Sequence, residues 1–69
     1  MKTKTAILSI DSLTRDSAAD LSGALQAIAG VEAVDFSLER EVVVIDFDPE
    51  SATVEELVRA VLLKGYKVK

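Results

Sequence analysis

The sequence predicts an α+β domain in which two helices cover one face of an antiparallel sheet. Three observations lead to this prediction. In several short stretches apolar residues occupy every second position, which is typical of strands with one buried face. Two longer stretches carry apolar residues at spacings of three and four, which is typical of amphipathic helices. The stretches follow one another in the order βαββαβ within 69 residues, the length of a single domain, so we assign residues 1–69 to one domain.

Strands are predicted at residues 6–10, 32–38 and 41–48, because apolar residues alternate with other residues in each of them. Only Glu39-Arg40 separates the last two stretches, so we expect them to form an antiparallel hairpin. Pro49 should end the hairpin, since proline has no N–H group to donate to a neighbouring strand.

The first helix is predicted over residues 18–29, where four apolar residues form one stripe. Gly30 should serve as its C-terminal cap, because glycine readily adopts the positive φ that such caps require. Three residues with suitable side chains can cap the beginning of the helix: Thr14, Asp16 and Ser17.

The second helix is predicted to begin after Thr53, because Thr53 and Glu56 have the spacing of a capping box. Lys64 suits the negative end of the helix dipole, and Gly65 should end the helix. Residues 66–69 are predicted to form a short last strand. This order of elements predicts a ferredoxin-like sandwich, whose four-stranded sheet has the first and third strands in its centre.

The composition argues against several classes of function. A net charge of −4 leaves no basic surface for nucleic acid. No apolar run approaches the roughly 20 residues of a membrane span, so direct membrane insertion is not expected. The sequence contains no Cys and no His and has no glycine-rich phosphate loop, so we do not expect an enzyme. No export signal is recognisable, and the cytoplasm is the expected location.

Four short motifs occur in a spacing that is typical of one family. Gly30-Val31 follows the first helix, Asp48-Pro49 ends the third strand, Thr53 precedes the second helix, and Gly65-Tyr66 follows it. Each motif is common, but their joint spacing over nearly the whole chain resembles the heavy-metal-associated domain family of copper chaperones and soft-metal pumps. The resemblance implies the ferredoxin-like fold. It also implies a relationship to proteins that bind a metal ion and pass it to a transporter by docking through a charged face.

The metal-binding loop of that family reads Gly-Met-x-Cys-x-x-Cys, and this chain departs from it. Residues 12–14, Ser-Leu-Thr, stand where the family has Gly-Met-Thr, and both cysteines are missing. Counted from the first strand, the two cysteine positions fall on Arg15 and Ala18. Counted back from the end of the first helix, they fall on Thr14 and Ser17, and both alignments stay open.

Neither alignment supplies a thiolate, which Cu(I) requires, and Zn(II) prefers thiolate or imidazole ligands. Arg15 adds a positive charge that would repel a cation, or that imitates the charge of a bound metal. We therefore predict no tight Cu(I) or Zn(II) site and no cofactor. The resemblance places Tyr66 near this loop, where we expect its ring to pack over Leu13 with its hydroxyl in water. The degenerate loop site comprises Leu13, Thr14, Arg15, Ser17, Ala18 and Tyr66.

A candidate interface lies on the sheet face away from the helices. Strand parity places Ile7, Val42 and Val44 there, on two neighbouring strands. A contiguous apolar patch can mark an interface, whereas β-branched residues also favour strands for local reasons, and both interpretations stay open. The edge of the second strand offers another docking route, by strand addition.

These observations predict a degenerate heavy-metal-associated domain that acts as a protein-interaction or regulatory module related to metal-ion transport. The expected partner is a protein, either a metal-transporting ATPase or a second copy. Two alternatives stay open. One is weak or atypical metal binding through the loop aspartates or through ligands from a partner chain, and the other is a ferredoxin-like small-molecule sensor.

Overall fold

The computed structural model describes residues 3–68 and contains two helices and an antiparallel sheet of three strands. The strands are β1 (Lys4–Ser9), β2 (Val31–Ser37) and β3 (Val42–Phe47), and β3 lies between the other two. The helices are α1 (Arg15–Gln26) and α2 (Val54–Leu63). Within residues 3–68 neither helix is long and apolar enough to cross a membrane.

One hydrophobic core joins the inner face of the sheet to both helices, and it confirms the alternation predicted for the strands. In β3 the side chains of Val43, Ile45 and Phe47 are buried, whereas Val42 and Val44 are only half-buried. No polar or charged residue is buried among the described residues. The helices and the segments that adjoin them contribute seven buried residues: Ile10, Leu13, Leu21, Leu25, Ala52, Leu57 and Val61.

The predicted hairpin is confirmed, but its turn is longer than Glu39-Arg40. Ser37 pairs with Val42, so four residues connect the two strands. Glu41 was expected to begin the third strand, and this is wrong because its φ of 55° is left-handed rather than extended. Its N–H donates to the carbonyl of Leu38 at 3.3 Å and closes the turn.

The predicted fourth strand at residues 66–69 is not present as a strand in the described part of the chain. It is represented by a single antiparallel bridge between Ile10 and Val68, beside β1, and Lys69 lies outside the described residues. A second contact supports the bridge, since the N–H of Asp11 donates to the carbonyl of Lys67 at 2.9 Å.

Helix α1 begins and ends three residues earlier than the predicted range of 18–29. It begins early because Thr14 is its N-cap, as one of the three proposed caps, and accepts the N–H of Ser17 at 3.2 Å. It ends early because the N–H of Ile28 bonds to the carbonyl three residues back, which tightens the last turn. Gly30 has the expected positive φ of 97°, but it lies in the turn before β2 and is not the helix cap.

Both ends of helix α2 agree with the prediction. Thr53 is the N-cap and accepts the N–H of Glu56 at 3.2 Å, and its hydroxyl lies 3.4 Å from the Glu56 carboxylate. At the other end Gly65 adopts a φ of 93°. The N–H groups of Gly65 and Tyr66 donate to the carbonyls of Leu62 and Val61 at 2.9 and 3.3 Å, the two hydrogen bonds of a Schellman motif.

Candidate functional site

The loop between β1 and α1, residues 11–14, has a defined conformation. Leu13 is buried in the core and anchors the loop. Ser12 has a φ of 58°, a left-handed conformation that costs a non-glycine residue roughly 1–2 kcal/mol. The family that this chain resembles has a glycine at this position of its metal-binding loop. A glycine adopts this conformation without that cost. Ser12 therefore adopts a conformation that would suit the glycine of such a loop, although the glycine is absent.

Glu41, in the turn between β2 and β3, supports the loop from the side. Its carbonyl accepts the N–H of Ile10 at 2.8 Å, and its carboxylate accepts the N–H of Leu13 at 3.2 Å. The sequence gives no local signal for this role, because the contact joins residues that are 28 positions apart. Two left-handed residues, Ser12 and Glu41, thus lie on the two sides of Leu13 and define the loop.

The structure brings together the residues of one of the two proposed cysteine alignments. The Thr14 hydroxyl donates to the Ser17 hydroxyl oxygen at 3.0 Å. In the other alignment Arg15 is exposed, whereas Ala18 is partly buried and packs against the core. The contact between Thr14 and Ser17 is that of a helix N-cap, like the contact between Thr53 and Glu56, and does not mark a pair of metal ligands. The left-handed Ser12 and the buried Leu13 instead suit the Gly-Met of the family's loop, and they favour the alignment in which the cysteine positions fall on Arg15 and Ala18.

Tyr66 lies beside this loop as part of the packed structure, and its surroundings differ from the prediction in one respect. Its ring is partly buried against the core cluster that includes Leu13. Its hydroxyl was expected to contact only water, but it donates a hydrogen bond to the Asp20 carboxylate at 3.2 Å. Lys64 contacts the other oxygen of Asp20 at 3.1 Å. Asp20 therefore ties α1 to the chain that leaves α2, one helical turn beyond Ser17.

The donor atoms around the loop do not suit a soft metal ion. Thr14 and Ser17 offer hydroxyl oxygens, and Asp20 is already engaged by a cation and a hydroxyl. Within residues 3–68 no three Asp, Glu, His or Cys side chains are grouped so that they could hold an ion. Cu(I) requires sulfur ligands and Zn(II) prefers sulfur or nitrogen. The described site can donate and accept hydrogen bonds, but it cannot form a thiolate complex.

The three residues proposed as an interface lie together on the open face of the sheet. Ile7 is 66% exposed and sits directly opposite Val44 in the pairing of β1 with β3. Val42 lies two residues from Val44 on the same strand and face and is paired with Ser9. Polar contacts border the patch, and the Thr5 hydroxyl donates to Asp46 at 2.7 Å. The result is a small apolar surface with a polar rim.

Comparison with protein families gives one match, to the heavy-metal-associated domain, over residues 15–67. The matched segment begins at Arg15 and includes both helices and the β2–β3 hairpin. The sequence has no significant match among curated proteins.

Solved structures share the fold over almost the whole chain. Oxidized MerP from Ralstonia metallidurans CH34 is 28% identical with a TM-score of 0.88, covering 99% of this chain and 96% of that one. A second structure is the N-terminal domain of a potential copper-translocating P-type ATPase from Bacillus subtilis, solved in the Cu(I)-loaded state. It is 29% identical with a TM-score of 0.91, and the match covers 99% of this chain and 86% of that one. The CopZ metallochaperone is 25% identical with a TM-score of 0.91 and coverages of 96% and 100%.

Proposed function

The chain belongs to the heavy-metal-associated domain family, and we propose that it is a docking module of metal-ion transport that does not itself carry a soft metal ion. One observation carries this proposal. Neither pair of positions that can correspond to the family's two thiols carries a cysteine, and these pairs are Arg15 with Ala18 and Thr14 with Ser17. The fold of a carrier is retained, while the chemistry that holds the ion is absent.

The loop is held in place by contacts that need no metal ion. The carboxylate of Glu41 holds the Leu13 N–H, and Asp20 joins Tyr66 and Lys64 to the opposite side of the site. These contacts support a role in which the domain keeps one surface shape at all times. A carrier domain changes its surface charge when it loads and unloads an ion, whereas this domain would present the same surface to its partner throughout.

We infer that the docking surface is the apolar patch of Ile7, Val42 and Val44. Exposed apolar residues are ordinary when scattered, but these three are contiguous across paired strands. The proposed partner is another protein of metal-ion transport, such as an ATPase domain or a metal chaperone. By occupying the partner without delivering an ion, the module would slow transfer of metal between carriers. This role is regulatory and not catalytic, and the cytoplasmic location stays a prediction.

A transfer assay tests the proposal. The passage of Cu(I) from a thiol-bearing chaperone to an ATPase N-terminal domain of the same cell is followed with and without this protein. We expect the unmodified protein to reduce the transfer rate in proportion to its concentration. The double variant Ile7→Thr and Val44→Thr should change the transfer rate little. Threonine is also β-branched and keeps the strand conformation, but it removes the apolar contact with the partner.

Leu63→Thr provides the matched control, since Leu63 is 80% exposed but lies on α2, on the other side of the sheet. This control should slow transfer as well as the unmodified protein does. Transfer rates that do not change with any of the three proteins would contradict the docking role. Direct titration of the unmodified protein with Cu(I) completes the test, and a sub-micromolar site would contradict the proposed loss of carrier chemistry.

A further inference from the structure

One flank of helix α2 is apolar and uncovered. Val54, Val58 and Leu62 recur every four residues along it, with Val54 46% and Leu62 52% exposed and Val58 half-buried. The flank faces away from α1, because Lys64 marks the α1 side through its contact with Asp20. Two residues further along a helix correspond to a rotation of about 200°, so Leu62 lies on the far side of α2 from Lys64.

The stripe lines an open groove of about 330 Å³, together with two charged residues, Glu55 and Arg59. Both charged side chains are exposed. A glutamate four residues before an arginine is the favourable order for an ion pair within one helix. Within residues 3–68, however, the structure pairs neither of them with any other charge. One acid and one base therefore remain available beside the apolar stripe.

We propose that the occupant of this groove is a second copy of the same chain, packed through α2 against α2 in an antiparallel arrangement. A twofold axis near Val58 would bring the two apolar stripes together. The same axis would place Glu55 of one copy beside Arg59 of the other, and it would do so twice. The polar lining of the groove consists of one acid and one base. When a second copy is turned by 180°, its base meets the acid of the first copy and its acid meets the base.

The charge pattern favours a second copy over an unrelated partner. A strongly basic or acidic partner would satisfy one of the two charges and be repelled by the other. The interface uses one face of one ten-residue helix, so we expect weak and reversible association that depends on protein concentration. It lies on the helix side of the sheet and leaves Ile7 and Val44 accessible. The inference does not depend on the proposed function, and the two can fail separately.

Sedimentation equilibrium of the purified protein over a range of concentrations tests the proposal. We expect a monomer–dimer equilibrium, with association lost in Leu62→Glu because that substitution places a charge in the apolar stripe. Leu63→Glu is the matched control. It changes a neighbouring exposed leucine that does not line the groove, and it should leave the equilibrium as it is in the unmodified protein. Circular dichroism of each variant confirms that the helices are retained.

Charge exchange tests the antiparallel geometry directly. Glu55→Arg and Arg59→Glu should each weaken self-association, because each places like charges together across the axis. The double variant, which exchanges the two charges, should associate like the unmodified protein. A mixture of the two single variants should form heterodimers in preference to homodimers. A monomer at every concentration, a dimer insensitive to Leu62→Glu, or a double variant that does not regain association would each overturn the proposal.

Discussion

Thr14 and Ser17 cap helix α1, and the contact between their hydroxyls belongs to that cap. The hydroxyl pair at 3.0 Å is satisfied by hydrogen bonds, since Thr14 both donates to the Ser17 oxygen and accepts the Ser17 N–H. In the alignment that Ser12 and Leu13 favour, the family's cysteine positions fall beside this cap, on Arg15 and Ala18. Sulfur there would prefer a soft cation, whereas this chain has a guanidinium group and a methyl group at these positions.

Replacing Arg15 and Ala18 together by cysteine should restore a thiolate site. We expect the affinity for Cu(I) to rise from no measurable site to a sub-micromolar dissociation constant, because two sulfur ligands would be placed to bind one ion. Competition with a coloured Cu(I) chelator under reducing conditions measures this. The matched control is the double variant Thr14→Cys and Ser17→Cys, which corresponds to the alternative alignment. Equal or tighter binding by that control would show that the wrong pair has been identified.

At the scale of the element, the ends of the helices show which structures can be read from neighbouring residues. Both ends of α2 were predicted correctly, because the cap at Thr53 and the left-handed Gly65 act within one turn of the helix. The start of α1 was placed too late, because its apolar stripe begins one turn after its cap at Thr14. The left-handed conformation of Glu41 could not be read from its neighbours, since its partner Leu13 lies on a distant segment.

The same reasoning explains what could be predicted of the site. The sequence placed Leu13, Thr14 and Tyr66 in one region through the family resemblance, and it showed that thiols are missing. It could not choose between the two cysteine alignments, because the choice depends on the conformation of the loop, in which Ser12 is left-handed and Leu13 is buried. The contact of Tyr66 with Asp20 joins residues 46 positions apart, and no periodicity reports it.

Two glycines in and after α1 should respond to alanine in opposite directions. Gly23 lies inside the helix, and an added Cβ would meet nothing within 4 Å. Gly23→Ala should therefore stabilise the protein by about 0.5–1 kcal/mol through helix propensity. Gly30 has a φ of 97°, and an added Cβ would come within 2.6 Å of the Ser51 Cβ. Gly30→Ala should destabilise the protein by at least about 1–2 kcal/mol from the backbone alone.

Urea unfolding followed by circular dichroism measures both changes on one scale. The two variants control for each other, since each adds the same methyl group to a glycine on the same segment. A loss of stability in Gly23→Ala would mean that the helix has a hidden contact on that side. An unchanged stability in Gly30→Ala would mean that the turn between α1 and β2 can relax away from Ser51.

At the scale of the whole molecule, the fold is stabilised by packing and hydrogen bonds and contains no disulfide. The chain has no cysteine for a disulfide, and the loop keeps its shape through Leu13 and Glu41. Small domains often depend on a metal ion or on disulfides for their stability. Here both helices and all three strands share one apolar core that contains no buried charge among the described residues.

The midpoint of thermal unfolding should therefore be unaffected by a metal chelator or by a reducing agent. Differential scanning calorimetry with and without each reagent checks this. The double cysteine variant at positions 15 and 18 is the positive control. Saturating Cu(I) should stabilise that variant, by about 2.7 kcal/mol when the free metal is one hundred times its dissociation constant. A fall in the midpoint of the unmodified protein with chelator would reveal a resident ion that contributes to folding.

The lone bridge between Ile10 and Val68 has a practical consequence for fusion proteins. Beyond that bridge, the outer rim of β1 has no neighbour among the described residues, and its peptide groups face outward. A polypeptide that extended the antiparallel pairing of Ile10 with Val68 would lie opposite Leu8 and then Ala6. An appended sequence with alternating valine and threonine should pair with this edge, whereas a glycine- and proline-rich tail should leave it unpaired. The composition of the tail should therefore determine whether a strand is added to the sheet.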